Sequence, residues 1–581
     1  MSVGQSTLGP SWISQRLLGW IWRLEHAFER ARASGRAEDD TRIRIFVILV
    51  LFSAGFLVLA IGATHAALFS NADKSDYVRP MGAARADLVD RNGQLLAADL
   101  LHYGLYIDPR EIWDSQETRR ALFANLPDLT PQRLERALHA GRRTYVLGGL
   151  TPELRAKVHD LGLPGVSFEP EEKRVYPLGY TAAHIVGFAD TGGEGLTGAE
   201  AAFNDQIRAA AATQGSIPLS IDLRIQAALE DELYKTTAQF HPKGAVGVVV
   251  NVHTGEILGL ANYPTYDPNR PGEASLDARL NRAAGAIYEM GSTFKGFTVA
   301  IGLDTKVATP TSTFDATHPF QLGYRTIHDY HATHKVLTLV EVFQHSSNIG
   351  TARLATEIGV ERLSSYFKAF GLTSPAKVEL IETARPLTPR VWNEDAIAST
   401  SFGEGINVSP LALARAYSGL LNGGELLPLT IKKLPAGTQV HGPRVISRET
   451  ALTLLKIMRA NVTGGSGRSA NVPGLNVGGK TGTGNKWDPA IHRYSKTRQV
   501  SSFAAVFPTD GPLEAPRYFV LILLDEPQKD KTGLDPTGGI VAAPAVGHVI
   551  ERIAPFLGVR RRAETNPFTA AVETADAGEE H

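Results

Sequence analysis

The sequence predicts an α+β fold, an antiparallel sheet packed with helices, preceded by an elongated domain and a single N-terminal transmembrane helix. Three observations predict it. At 581 residues the chain is longer than one hydrophobic core supports. Residues 45–63 carry no charge and are long enough to span a bilayer core. Beyond them, helical periodicity clusters in the middle and strand-like runs lie towards both ends, so distant segments would close one antiparallel sheet.

Residues 1–44 form a leader with seven arginines, among them Arg16, Arg23, Arg30 and Arg32. Ile13, Leu17, Ile21, Leu24 and Phe28 recur at helical spacing beside Trp12, Trp20 and Trp22, which predicts an amphipathic helix lying on a membrane surface or binding a partner. The span 45–63 follows Arg42 and Arg44 and has no small-x-small cleavage site after it, so it reads as an uncleaved anchor rather than a signal peptide or core helix. The arginines place the leader in the cytoplasm and export everything after the anchor.

Residues 64–215 form the elongated domain, with an Asn92-Gly93 hairpin signal and a helical stretch around 117–160. The second domain spans 216–558. It opens with the helical pattern "RIQAALEDELYKTTAQF" and the hairpin "GAVGVVVNVHTGEILGLANYP". Helices follow around 292–304, 340–357, 410–422 and 448–460, then strands around 500–508 and 517–525. Residues 559–581 turn polar without periodicity and read as a disordered tail.

Composition removes several function classes. The 59 basic and 60 acidic residues leave no basic footprint for nucleic acid. Zero cysteines exclude disulfides, thiol catalysis and cysteine-ligated metals.

The chemistry concentrates in three short motifs. In "YEMGSTFKGF", Ser292 and Lys295 are three residues apart, so a helix starting there sets the amine on the same face as the hydroxyl. A lysine serves as base to a serine only when burial or another cation keeps it neutral. Lys480 in "GGKTGTGNK" supplies that cation, ahead of Thr481, Gly482 and Thr483 on an expected strand edge, whose glycines would let a substrate backbone approach. In "QHSSNIG", Ser346 and Asn348 offer a hydroxyl and an amide. Each motif alone is weak: Ser-x-x-Lys recurs at Ser365 and Ser374, Lys-Thr-Gly at Lys531, and Ser-x-Asn at Ser469. Only Ser292, Ser346 and Lys480 combine the order and spacing of penicillin-recognising serine enzymes.

With these motifs, residues 65 to about 555 resemble a class B penicillin-binding protein, a membrane-anchored D,D-transpeptidase. "RADLVDRNGQLLA", "RVYPLGYTAAHIVGFAD", "GLTGAEAAFN" and "TGGIVAAPAVG" are similar to other family landmarks, and the "YPLGYTAAHIVGF" wording resembles the septal, cell-division branch more than the elongation branch. Met290 stands where the family usually has proline, and Ala86 where it has glycine.

The resemblance implies a penicillin-binding serine-transpeptidase fold behind a pedestal, a septal cell-wall role, and acyl transfer without metal or other cofactor. Ser292 would attack the D-alanyl-D-alanine carbonyl of a peptidoglycan stem peptide, with Lys295 as its base. Ser346 would relay protons, Asn348 hold the acyl amide, and Lys480, Thr481 and Thr483 recognise the terminal carboxylate, with Gly482 between them in the substrate-binding strand. The backbone N–H groups of Ser292 and Thr483 would form the oxyanion hole. β-Lactams would be covalent inhibitors, and a membrane glycan polymerase of the FtsW type, with other division proteins, the partners. A β-lactam sensor or β-lactamase and a non-enzymatic scaffold are the competing readings. His328, His331 and His334 suggest a metal site only weakly, and the absence of a Gly-x-Ser-x-Gly elbow argues against a Ser-His-Asp hydrolase.

Overall fold

Apolar runs with a two-residue repeat build the sheet that carries the site. In the computed structural model the residues described are 84–568, except 324, 489–491 and 532, together with 22, 23, 26, 27, 29, 30, 33, 45 and 48–60. Residues 1–79 and 80–581 are separate units. In the first, residues 48–60 are helical and exposed; among the described residues no helix is long and apolar enough to cross a membrane, and residues 46, 47 and 61–63 of the expected 45–63 span lie outside them.

The second unit begins with β1 (Asp87–Val89), β2 (Leu95–Ile107), β3 (Thr144–Leu150), β4 (Val166–Val175) and β5 (Ser216–Pro218). These join in the order β3-β2-β1-β5, with β4 also paired to β2. The Asn92-Gly93 signal is the β1–β2 turn, where Gly93 takes φ +85° and the Asp90 carboxylate accepts from the N–H groups of Asn92 (2.7 Å) and Gln94 (2.8 Å). The stretch expected as helix around 117–160 is three short helices, Ser115–Asn125, Pro131–Leu138 and Pro152–His159, with β3 inserted. Prolines open two of them, and the Thr144-Tyr145-Val146 run finds better hydrogen bonds beside β2 than in a helix.

Next come β6 (Gly244–Asn251) and β7 (Ile257–Tyr263), two small hairpin pairs formed by β8 (Thr313–Asp315) with β11 (Val336–Thr338) and by β9 (Phe320–Leu322) with β10 (Arg325–Ile327), then β12 (Gly478–Asp488), β13 (Arg493–Phe507) and β14 (Tyr518–Asp525). The main sheet is antiparallel in the order β12-β13-β14-β6-β7. Every residue of β14 is buried because alternate side chains enter two different cores: Phe519, Leu521 and Leu523 face one, Val520, Ile522 and Leu524 the other. Helices Leu223–Phe240 and Ala542–Ile553 cover the second face, and Pro410–Leu421 packs on the first. β12 is left at the edge, free to border a cleft.

The expected helix 340–357 is broken into Leu339–Gln344 and Asn348–Ile358. Ser347 caps the second piece by accepting from Gly350 N–H, and Ser346 turns the corner at φ +58°. The expected disordered tail differs in its first part. Arg562 N–H donates to Gly474 O (2.8 Å), Arg459 donates to Thr565 O (3.0 Å), and Phe568 packs on the main core. Residues 569–581 lie outside the described ones.

Candidate active site

Three chain segments meet at the edge of β12, and glycines let them do so. Ser292 lies in the 3₁₀ turn Gly291–Phe294, half-buried, just before the helix Lys295–Asp304. Gly291 has φ +53°, and a Cβ there would stand 2.5 Å from Thr483 O, so only glycine brings the serine turn against the strand. Met290, in the usual proline position, has φ −79°, within proline's own range, and its side chain is buried in the core. The departure therefore leaves the turn's backbone intact. Ala86 is likewise buried, its carbonyl accepting from Arg174 at 2.9 Å.

Lys295 has no exposed surface. Its Nζ donates to Asn348 Oδ1 (2.7 Å), to Ser346 Oγ (3.1 Å) and to Ser346 O. Lys480, equally buried, donates from Nζ to the same Ser346 Oγ at 2.9 Å and to Thr481 Oγ1 at 3.1 Å. Two amines thus share one hydroxyl. Burial pushes the Lys295 amine down to about 7, opposed by the negative charges of Asp329 and Glu404. Burial, and then the neighbouring Lys295, hold Lys480 well below the ordinary lysine range. Like charges this close in an apolar surround favour one proton fewer between them, which makes a lysine available as a base.

The structure brings all eight expected residues, Ser292, Lys295, Ser346, Asn348, Lys480, Thr481, Gly482 and Thr483, into this one neighbourhood of turn, corner and edge strand. Two differ in detail from expectation. A Cβ on Gly482 would run into Ser502 Oγ and stand 2.7 Å from Met290 O, so the serine turn itself demands glycine here. Asn348 is already engaged, with Oδ1 accepting from Lys295 and Nδ2 donating to His328 O at 3.0 Å.

The recurring motifs elsewhere serve local needs. Ser365 and Ser374 donate to carbonyls three residues back, and Asn471 accepts from the buried Arg459. Among the described residues no His, Cys, Asp and Glu cluster could hold a metal, and His328, His331 and His334 are all exposed.

Several neighbours escaped the motif reading. Ser466 Oγ meets Thr481 Oγ1 at 3.0 Å, and Gly538 N–H donates to Thr483 Oγ1 at 3.2 Å, so both flank the two threonines. Tyr417 donates to Thr293 O at 2.5 Å from beneath the serine turn. Glu289, three residues before Ser292, accepts from Tyr494 OH (2.9 Å) and Gly405 N–H (3.1 Å), and burial pushes its carboxyl up to about 7. Asp329 binds the Ser-Ser-Asn corner from outside. Only the "GG" beside Ser466 and Gly538 and the acid next to the nucleophile's turn marked any of these in the sequence.

Known families cover both parts of the described chain. Residues 245–551 match the penicillin-binding protein transpeptidase domain, and residues 80–208 the penicillin-binding protein dimerisation domain. The chain is 62% identical to a probable peptidoglycan D,D-transpeptidase FtsI of Caulobacter vibrioides, covering 98% of this chain and 99% of that one. It is 29% identical to the peptidoglycan D,D-transpeptidase FtsI of Escherichia coli K12, covering 84% and 86%. Among solved structures, penicillin-binding protein 3 of Mycobacterium tuberculosis in complex with aztreonam matches with a TM-score of 0.63 at 25% identity, covering 83% of this chain and 98% of that one.

Proposed function

The chain belongs to the class B penicillin-binding proteins, as a peptidoglycan D,D-transpeptidase of the septal FtsI type, and on that premise we propose that Ser292 is its nucleophile and Lys295 its base. One observation carries the assignment: the buried amines of Lys295 and Lys480 converge on Ser346 Oγ, at 3.1 and 2.9 Å, beside the Ser292 turn. No other Ser-x-x-Lys pair in the chain has such surroundings among the described residues.

Ser292 Oγ attacks the carbonyl between the two terminal D-alanines of a stem peptide while Lys295, in its neutral form, takes the proton. The backbone N–H groups of Ser292 and Thr483 stabilise the oxyanion. The C–N bond then breaks, and the leaving amine of D-alanine takes its proton through Ser346, which both lysines contact. Asn348 aligns Lys295 and keeps one N–H for the acyl amide, since its other N–H is bound to His328 O. Lys480, Thr481 and Thr483 receive the terminal carboxylate. The amine of a second stem attacks the ester, forms the cross-link and returns the proton to Ser292. A β-lactam enters the first step and stays as the acyl-enzyme.

The same reading covers the rest of the chain: leader 1–44 in the cytoplasm, anchor 45–63 in the inner membrane, pedestal 64–215 and catalytic domain 216–558 in the periplasm. A membrane glycan polymerase of the FtsW type is its partner. The uncharged span behind an arginine-rich leader supports this topology. Protease added outside intact cytoplasmic membranes is expected to digest the catalytic domain, and protection of that domain would overturn the topology.

Intact-protein mass spectrometry after incubation with a penicillin tests the site. A stable adduct that is absent in Ser292→Ala and retained in Ser365→Ala and Ser374→Ala is expected. An adduct on the Ser292 variant would refute the nucleophile, and one that turns over quickly would identify a β-lactamase.

A further inference from the structure

The segment that stood out for its histidines does other work. The chain leaves β10 at Ile327 and passes directly over the Ser346–Asn348 corner. There Asp329 Oδ2 accepts from Ser347 Oγ at 2.8 Å, Asp329 Oδ1 accepts from Ile349 N–H at 2.9 Å, and the carbonyl of the preceding His328 accepts from Asn348 Nδ2 at 3.0 Å. Ser347 and Ile349 bracket the start of the helix Asn348–Ile358, so the carboxylate also sits where the helix dipole favours an anion.

The corner needs such a grip. Ser346 holds φ +58°, a left-handed conformation that costs a non-glycine residue energy and persists only where its surroundings over-determine it. The corner's own backbone supplies Ser347 N–H to Val342 O (2.9 Å) and Ser346 N–H to Phe343 O (3.3 Å). Lys295 holds the Ser346 carbonyl from the inside, and the 328–329 strap holds the three following residues from the outside.

We propose that Asp329 is a positioning residue for acylation, gripping Ser347 and Ile349 so that Ser346 Oγ stays between the two lysines and setting a fixed negative charge opposite Lys295. The inference rests on the transpeptidase reading of the site. It adds a residue outside all three motifs and gives a separate role to its charge.

The charges that face Lys295 come from three directions: Lys480 on β12, Asp329 after β10, and Glu404 in the loop after the helix Glu394–Thr400, itself faced by Arg325. Asp329 favours the protonated amine, so its removal makes Lys295 lose its proton at lower pH. The acid limb of the acylation profile then moves to lower pH, which loosened packing alone would not cause.

The test compares the second-order rate of acylation by a penicillin, across pH, in the full-length wild type, Asp329→Ala and Asp329→Asn. The alanine variant loses both bonds and the charge, and about a hundredfold loss of rate is expected from the misplaced corner. The asparagine variant keeps an acceptor for Ile349 N–H, so it is expected to lose less rate while its acid limb moves to lower pH. Should the alanine variant not fold, the asparagine profile decides. Wild-type rates and an unmoved limb in the asparagine variant overturn the proposal, as does a loss equal to alanine's without a shift. Failure of the wild type itself to acylate would instead strike the transpeptidase reading.

Discussion

Lys295 has no exposed surface, and its three donors are all spent on Ser346 and Asn348. While protonated it has no lone pair for the Ser292 proton. With the amine pushed down to about 7, the neutral form prevails above that pH and the cation below it. Acylation by a penicillin is therefore expected to rise with pH through a midpoint near 7, and a flat profile between pH 6 and 8, read by stopped-flow kinetics, would contradict Lys295 as base. Ser346 is the acceptor that both amines share. Ser346→Ala should slow acylation by about a thousandfold, the range of a lost proton relay, while leaving the melting temperature near wild type. A variant that acylates normally would remove Ser346 from the relay.

At the level of elements, the site exists because a turn, a broken helix and an edge strand come closer than side chains ordinarily permit. Gly482 marks one of these approaches, with Met290 O standing 2.7 Å from where its Cβ would be. Backbone cannot yield as a flexible side chain can. Gly482→Ala is expected to push β12 away from the serine turn, costing about 1–3 kcal/mol of stability by overpacking and slowing acylation more than the stability loss explains. Denaturation beside acylation kinetics would check both; unchanged kinetics would mean that the strand's distance from Ser292 does not matter. The helix break at Ser346 belongs to the same scale. A continuous helix over 340–357 would bury Ser346 and Asn348 on different faces, whereas the left-handed corner presents both to Lys295.

At the scale of the molecule, a buried ionic network ties the pedestal's own segments together, and a backbone contact joins the pedestal to the sheet-bearing domain. Glu200, with no exposed surface, pairs with Arg85 and with Arg174 (2.7 Å), and Arg174 also reaches Asp99 at 3.2 Å. Further along, Asp90 accepts from Leu223 N–H at 3.2 Å, where the first catalytic-domain helix begins. Removing the carboxylate would leave two buried guanidinium groups short of a partner. Glu200→Ala is expected to cost about 3–5 kcal/mol, seen as an earlier urea midpoint for the pedestal. A midpoint equal to wild type would show that the network relaxes without penalty.

Much of this was legible in residue order. The continuous apolar runs in "GAVGVVV" and "YFVLILLD" announce strands covered on both faces, and the three motifs in sequence imply the chemistry, since only an ordered set survives the recurrences at Ser365, Ser374 and Lys531. Local patterns, however, carry no distances. That Lys295 and Lys480 share one hydroxyl, that the helix breaks at Ser346, that the serine turn demands Gly482, and that Asp329 grips the corner were decided by tertiary contacts. The physical reason is range: periodicity and capping act within a few residues, whereas burial, shared protons and close backbone approach arise between segments far apart in the chain, such as Lys295 and Lys480, 185 positions apart.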